Sequence, residues 1–405
     1  MSYAGENRWT SSGPYGGDIR TIVIAPTQTD TLYVGTFGGG VFKSENGGLE
    51  WQAAHDGLEN LYAVALVLDP VDPDTIYVGT FGGGVFKSEN GGQSWLEIND
   101  GLTNSTVRTL AVDPNNPNNL YVGTHGGTFK STNRGSSWTA INNGLESSIV
   151  FALAIDPTAP AVLYAGTDSG IFKSENGGLN WAAKNSGLTT LTVFALAINP
   201  QTPSTLYAGT FGGGVFKSVN GGANWQNKND GLNNWNVFSL KLDSTTPDRL
   251  YVGTQGSVGG VYETTNGAGA WSMVSGSLVN PNVFALAIDP VTPQTVYAGT
   301  FGSGILKSLD SGANWTVINQ GLINSTVNAL VVTPTSPTRL YSGTDDSGVF
   351  QWIEGQESWT PMNNGLTSDQ VLALALDPTN DKTLYAGTAG GIFKSEDGAS
   401  SWHAH

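Results

Sequence analysis

Cysteine is absent from the 405 residues, which excludes disulfides, thiol nucleophiles and thiolate metal sites together. Charge is scarce at 12%, and it leans acidic: 17 Lys and Arg against 33 Asp and Glu leave a formal net charge of −16. A chain of that sign repels a phosphate backbone or an anionic bilayer at long range, so neither nucleic acid nor a membrane surface is an expected partner. No apolar run approaches the ~18 residues a membrane helix requires, and the opening MSYAGENRW has neither the basic nor the apolar region of a signal peptide. The histidines, His55, His125, His403 and His405, are too scattered for a metal site of ordinary spacing. No metal and no cofactor is expected.

What the chain has in quantity is glycine, 55 residues of it, with 12 Trp and 13 Tyr, the balance of a turn-rich β protein with large aromatic wedges. The segment TLYVGT at 31–36 is the first of nine related copies, with the tyrosine at Tyr33, Tyr77, Tyr121, Tyr164, Tyr207, Tyr251, Tyr297, Tyr341 and Tyr385, a mean spacing of 44 residues. Each unit carries four short apolar runs separated by Gly, Pro, Asn and Asp, as in VFALAID, VLYAGT, GIFKS and NWAAK between residues 150 and 184. Such runs read as four antiparallel strands, and no segment shows convincing helical periodicity. The first run is apolar at nearly every position, so both faces of each small sheet must be covered. Stacking sheet on sheet around an axis does this. The expectation is one all-β domain over residues 1–405, a single nine-bladed β-propeller. Trp9 fits the Trp position of the repeat, so the segment 6–12 is expected to close the ring, in competition with Trp402.

The turn between third and fourth strands reads SENGGLEW at 44–51 and SENGGQSW at 88–95, with STNRGSSW, SENGGLNW, SVNGGANW and SLDSGANW further on. This Ser-x-Asn/Asp-x-Gly-x-x-Trp pattern places an acceptor side chain, a residue free to take positive φ, and a large apolar lid in one hairpin. It resembles the Asp-box, or BNR, repeats of sialidases, sortilins, two-propeller xyloglucanases and photosystem assembly factors. The resemblance covers the whole chain. Departures are Ala268 and Ala399 in place of the glycine, and WIEGQESW at 352–359, which keeps only Glu354 and Trp359.

The resemblance implies a fold shared by enzymes and receptors. A sialidase would need three converging arginines, and none of Arg8, Arg20, Arg108, Arg134, Arg249 and Arg339 stands in the Arg-Ile-Pro context of that family. A xyloglucanase-type enzyme would need paired aspartates in a loop-walled cleft, for which Asp345 and Asp346 are the nearest pair. No catalytic residue is assigned. Asp69, Asp113, Asp156, Asp243, Asp289 and Asp377 end the first runs and are expected to cap their own turns, and the Lys of each FKS is expected to lay its stem along an outer strand. The leading site is aromatic: Phe37, Phe81, Phe211 and Phe301 follow the Thr of the second run, with His125 in the same slot and Trp235 near Phe211. These residues are expected on one propeller face, opposite the Ser-x-Asn turns. The functional expectation is a non-catalytic binding or scaffold module of a bacterial extracellular or periplasmic protein, monomeric, with a glycan or protein as partner. A glycoside hydrolase with an unrecognised active site and an excised or engineered array without a ligand are the alternatives.

Overall fold

The computed structural model describes residues 19–26, 28–145, 149–256, 259–275, 282–301, 304–318, 327–333, 339–344, 347–353, 360–377, 380–388 and 390–404. They form nine four-stranded antiparallel sheets, each built from strands consecutive in sequence, and no helix. The first strands are Ile19–Ile24, Ala63–Leu68, Val107–Val112, Val150–Ile155, Val193–Ile198, Val237–Leu242, Val283–Ile288, Val327–Val332 and Val371–Asp377. Those of sheets one to seven pack on one another from sheet to sheet and so line an axis, as in a propeller, and those of sheets eight and nine pack on each other.

The second strands of sheets one to seven, such as Leu32–Thr36 and Ile76–Thr80, are buried at all five positions. Their invariable glycine follows from the stacking. A Cβ on Gly79 would stand 2.4 Å from Val107 Cγ1 of the next sheet, so only a bare backbone admits the neighbour. In the hairpin after the third strand, Ser44 Oγ accepts from the Gly48 N–H at 2.8 Å and Asn46 Oδ1 accepts from the Glu50 N–H at 2.9 Å. The Trp that ends each hairpin then reaches backwards. The indole of Trp95 donates to the Ala54 carbonyl of the preceding sheet at 2.8 Å, and Trp138, Trp181, Trp225, Trp271 and Trp315 repeat the bond. Sheets two to seven are thus each tied to the preceding sheet by one tryptophan and one hydrogen bond.

Trp51 of sheet one makes the same bond, but to Ile318 of sheet seven, at 2.7 Å. Lys307 of sheet seven donates to the Gly47 carbonyl at 2.9 Å, and Ile19 fills the space beside Gly299 as Val107 does beside Gly79. Ile19, Ile22, Leu32, Val34, Phe42 and Trp51 share one buried cluster with Ala285, Ala287, Tyr297, Ile305 and Ile318. Sheets one to seven therefore close on themselves. Sheets eight and nine pack on each other through Tyr341, Val349, Val371, Leu384 and Phe393, and Trp402 donates to the Met362 carbonyl at 2.7 Å. Among the described residues, no packing of comparable extent joins either of them to the first seven.

Nine four-stranded units are present, as the repeats predict, and the expectation of one ring of nine is corrected in its seam: sheet one finds its partner in sheet seven. The reason is geometric, because closure is set by the wedge angle between neighbours, which the number of repeats does not encode. The segment 6–12 with Trp9 lies outside the described residues, and sheet nine has its own fourth strand, His403–Ala404. On sheet nine, Ile392 is 56% exposed where its counterpart Ile171 of sheet four is fully buried.

Candidate functional site at the mouth of the central passage

The expected site residues do gather on one face. Phe37 stands 5.9 Å from Phe81, centroid to centroid, and Phe81 stands 5.6 Å from His125, both edge to face. Phe211 and Phe301 lie on the same rim, 50% and 45% exposed, each touching a phenylalanine of a first strand. Trp235 is 52% exposed and its indole donates to the Leu232 carbonyl at 3.1 Å. Its backbone carbonyl accepts from Gly212 and Gly214, which sets the loop beside the turn that carries Phe211. The turns themselves are locked from within. In sheet one, Thr36 Oγ1 donates to the Gly40 carbonyl at 2.9 Å and accepts from the Gly39 N–H at 3.0 Å.

Inside this rim is a second set of side chains that the sequence reading did not single out. Each first strand of the ring carries a β-bulge at its second residue: in sheet four, Val150 pairs with Thr167 and Ala152 with Gly166, so Phe151 is skipped. A bulge bends the strand and re-aims the skipped side chain. The skipped residues of sheets one to seven are Arg20, Val64, Arg108, Phe151, Phe194, Phe238 and Phe284. Phe151, Phe194, Phe238 and Phe284 touch in succession, with centroids 4.7, 4.6 and 5.2 Å apart. The Arg20 guanidinium lies 4.4 Å from the Phe284 ring and 4.9 Å from Phe37. The Arg108 guanidinium lies 5.3 Å from Phe151 and 5.8 Å from Phe81. Since Phe37 touches Phe81, the contacts run in an unbroken circuit around the axis. It is a collar of rings interrupted by two cations, held by cation–π contacts.

The electrostatics are local. Burial, and after it the charge of Arg20, holds the Arg108 pKa below its ordinary value, so the two guanidiniums sense each other. Burial, then Arg108, also lowers the His125 pKa, against a smaller opposing pull from Asp168. Three residues past Phe238 on the same strand, Lys241 is exposed.

The other candidates are spent within the fold. Asp69 Oδ1 accepts from the N–H groups of Val71 and Asp72 at 2.9 and 3.2 Å, and Asp113, Asp156, Asp243 and Asp289 cap their turns likewise. The FKS lysines lie over the rings of the repeat tyrosines, with Lys130 5.2 Å from the Tyr121 centroid. Burial pushes the Tyr121 hydroxyl up to about 12, so it stays neutral. Asp345, Asp346, Glu354 and Trp359 lie outside the described residues. No group of three or more potential metal ligands occurs among the described residues.

No protein-family model and no curated protein matches the chain. Solved structures do. A GH74 enzyme from Niastella koreensis superimposes with a TM-score of 0.80 at 21% identity over 96% of this chain, which spans 66% of that enzyme's length. A GH74 xyloglucanase from Xanthomonas campestris gives 0.72 at 16% identity, covering 97% of this chain and 74% of the other. The extracellular domain of a one-component system from B. thetaiotaomicron gives 0.59 at 17%, covering 98% of this chain and 53% of the other. At these identities the likeness shows the fold, an all-β propeller built of four-stranded sheets.

Proposed function

We propose that the chain is a binding or scaffold module that works outside the bacterial cytoplasm and takes a glycan or a protein on the collar face. The carrying observation is the collar itself, a continuous aromatic circuit with Phe211, Phe301 and Trp235 exposed around it. Large apolar side chains held half-exposed and in order cost solvation energy, and a stacking ligand recovers it. The opposite face has little to offer, because the Ser and Asn groups of its turns are bonded to their own backbone. Proteins similar in fold include GH74 enzymes and the extracellular domain of a one-component system, which supports a site for extracellular ligands.

The test is calorimetric binding to a panel of oligosaccharides and proteins with the double variant Phe211→Ala/Phe301→Ala. Binding should weaken by about 1–3 kcal/mol if these rings are anchors, with the melting temperature held, since both side chains already face water. Unchanged affinity for every ligand found would place the site elsewhere.

A further inference from the structure

The collar is not purely aromatic, and its two exceptions define the chemistry of what it takes. The chain carries 17 basic residues against 33 acidic ones, yet the skipped position of the first strand, filled by phenylalanine in four sheets, is arginine in two. Both guanidiniums are half-buried between ring faces, and Arg108 forms no ion pair among the described residues. Like charges collected in a confined mouth repel one another, and an anion seated among them relieves that repulsion.

Resting on the collar reading above, we infer that the site takes an acidic saccharide, a uronate-type sugar whose carboxylate meets Arg20 and Arg108 while its ring packs on the phenylalanines. A uronic acid holds a flat C–H face and a carboxylate on one rigid ring. The collar offers the complement at the same scale, with each guanidinium carbon 4.4–5.8 Å from two ring centroids. Arginine suits the task because its fork of donors matches a carboxylate in two hydrogen bonds and keeps its face on an aromatic ring. A peptide is the poorer fit. Its backbone amides need partners once buried, and the rim amides are already engaged: Asn60 binds Phe81 and Tyr62, Asn104 binds Thr106, and Asn234 binds Gln255 and Asn236. Sugar hydroxyls at the open rim stay in water.

The experiment titrates the full chain with tetragalacturonate, its methyl ester, cellotetraose and an acidic hexapeptide. Tetragalacturonate should bind, with the ester and cellotetraose at least tenfold weaker, and added salt should weaken the acid alone. Arg108→Gln and Arg20→Gln should each reduce the acid's affinity at least tenfold, while Lys382→Gln, a cation removed from sheet nine, should leave it unchanged. The ester comparison uses unaltered protein, so misfolding of a variant cannot decide the outcome. Equal binding of acid and ester, lost in the Phe211→Ala/Phe301→Ala variant, would overturn the anionic assignment and leave the collar reading intact. An acidic peptide that matches the acid would overturn the saccharide assignment. Absence of binding by all four probes would overturn it as well.

Discussion

At the scale of single residues, the strongest conclusions rest on side chains that reach from one sheet to another. Trp138 donates its indole N–H to the Ile98 carbonyl of the preceding sheet at 2.7 Å and is buried. Trp138→Phe keeps most of the apolar area and leaves that carbonyl unpaired, so it should cost about 1–3 kcal/mol in chemical denaturation. A cost near zero would mean that the bond contributes nothing beyond packing. His125 reports on the collar. Its pKa is lowered from 6.5, first by burial and then by Arg108, so the folded state holds the proton less tightly than the unfolded one. Stability linked to this group is therefore present above the unfolded pKa and is lost as pH falls from about 7 through 6.5 towards the folded value. In Arg108→Gln the like charge is gone and burial remains, so the His125 pKa measured by NMR should rise towards 6.5 without reaching it. A pKa that stays put would show that the guanidinium does not sit beside the imidazole.

At the scale of strands, the sequence is read easily where the period is plain and poorly where it breaks. The second strands announce themselves through the Tyr-x-Gly-Thr segment, and the rim residues Phe37, Phe81, His125, Phe211 and Phe301 were legible because they follow that segment directly. The collar was not. In VFALAI the second residue looks like one more apolar core position, and only the bulge between Val150 and Ala152 turns Phe151 to the axis. A hint was present, since Arg20 and Arg108 occupy the same slot where four other sheets have phenylalanine. Exposure also separates strands of like sequence. Ile171 and Ile392 belong to identical GIFKS segments, yet the first is covered by sheet five and the second is 56% exposed. Ile171→Glu should destabilise by more than 3 kcal/mol or prevent folding, because a carboxylate would enter a sealed interface. Ile392→Glu should stay within about 1 kcal/mol. Similar losses in melting experiments would mean that sheet nine is covered on that face as well.

At the scale of the whole molecule, the repeats reveal how many sheets form, and the structure adds which of them meet. Nothing in a 44-residue period states the angle at which one sheet leans on the next, and a few degrees per interface decide between rings of different size. The evidence for seven is the seam: Trp51 on Ile318, Lys307 on Gly47 and Ile19 beside Gly299 reproduce the contacts found between consecutive sheets. The collar depends on the same seam, because Arg20 of sheet one lies over Phe284 of sheet seven at 4.4 Å. Function and closure are thus one claim, tested most directly by the thermal unfolding of a chain ending at residue 320, which keeps sheets one to seven whole. The account predicts a single cooperative transition within a few degrees of the intact protein, since no interface of the ring has been cut. An unfolded product, or a transition lowered by tens of degrees, would show that sheets eight and nine are members of the ring and would contradict the account.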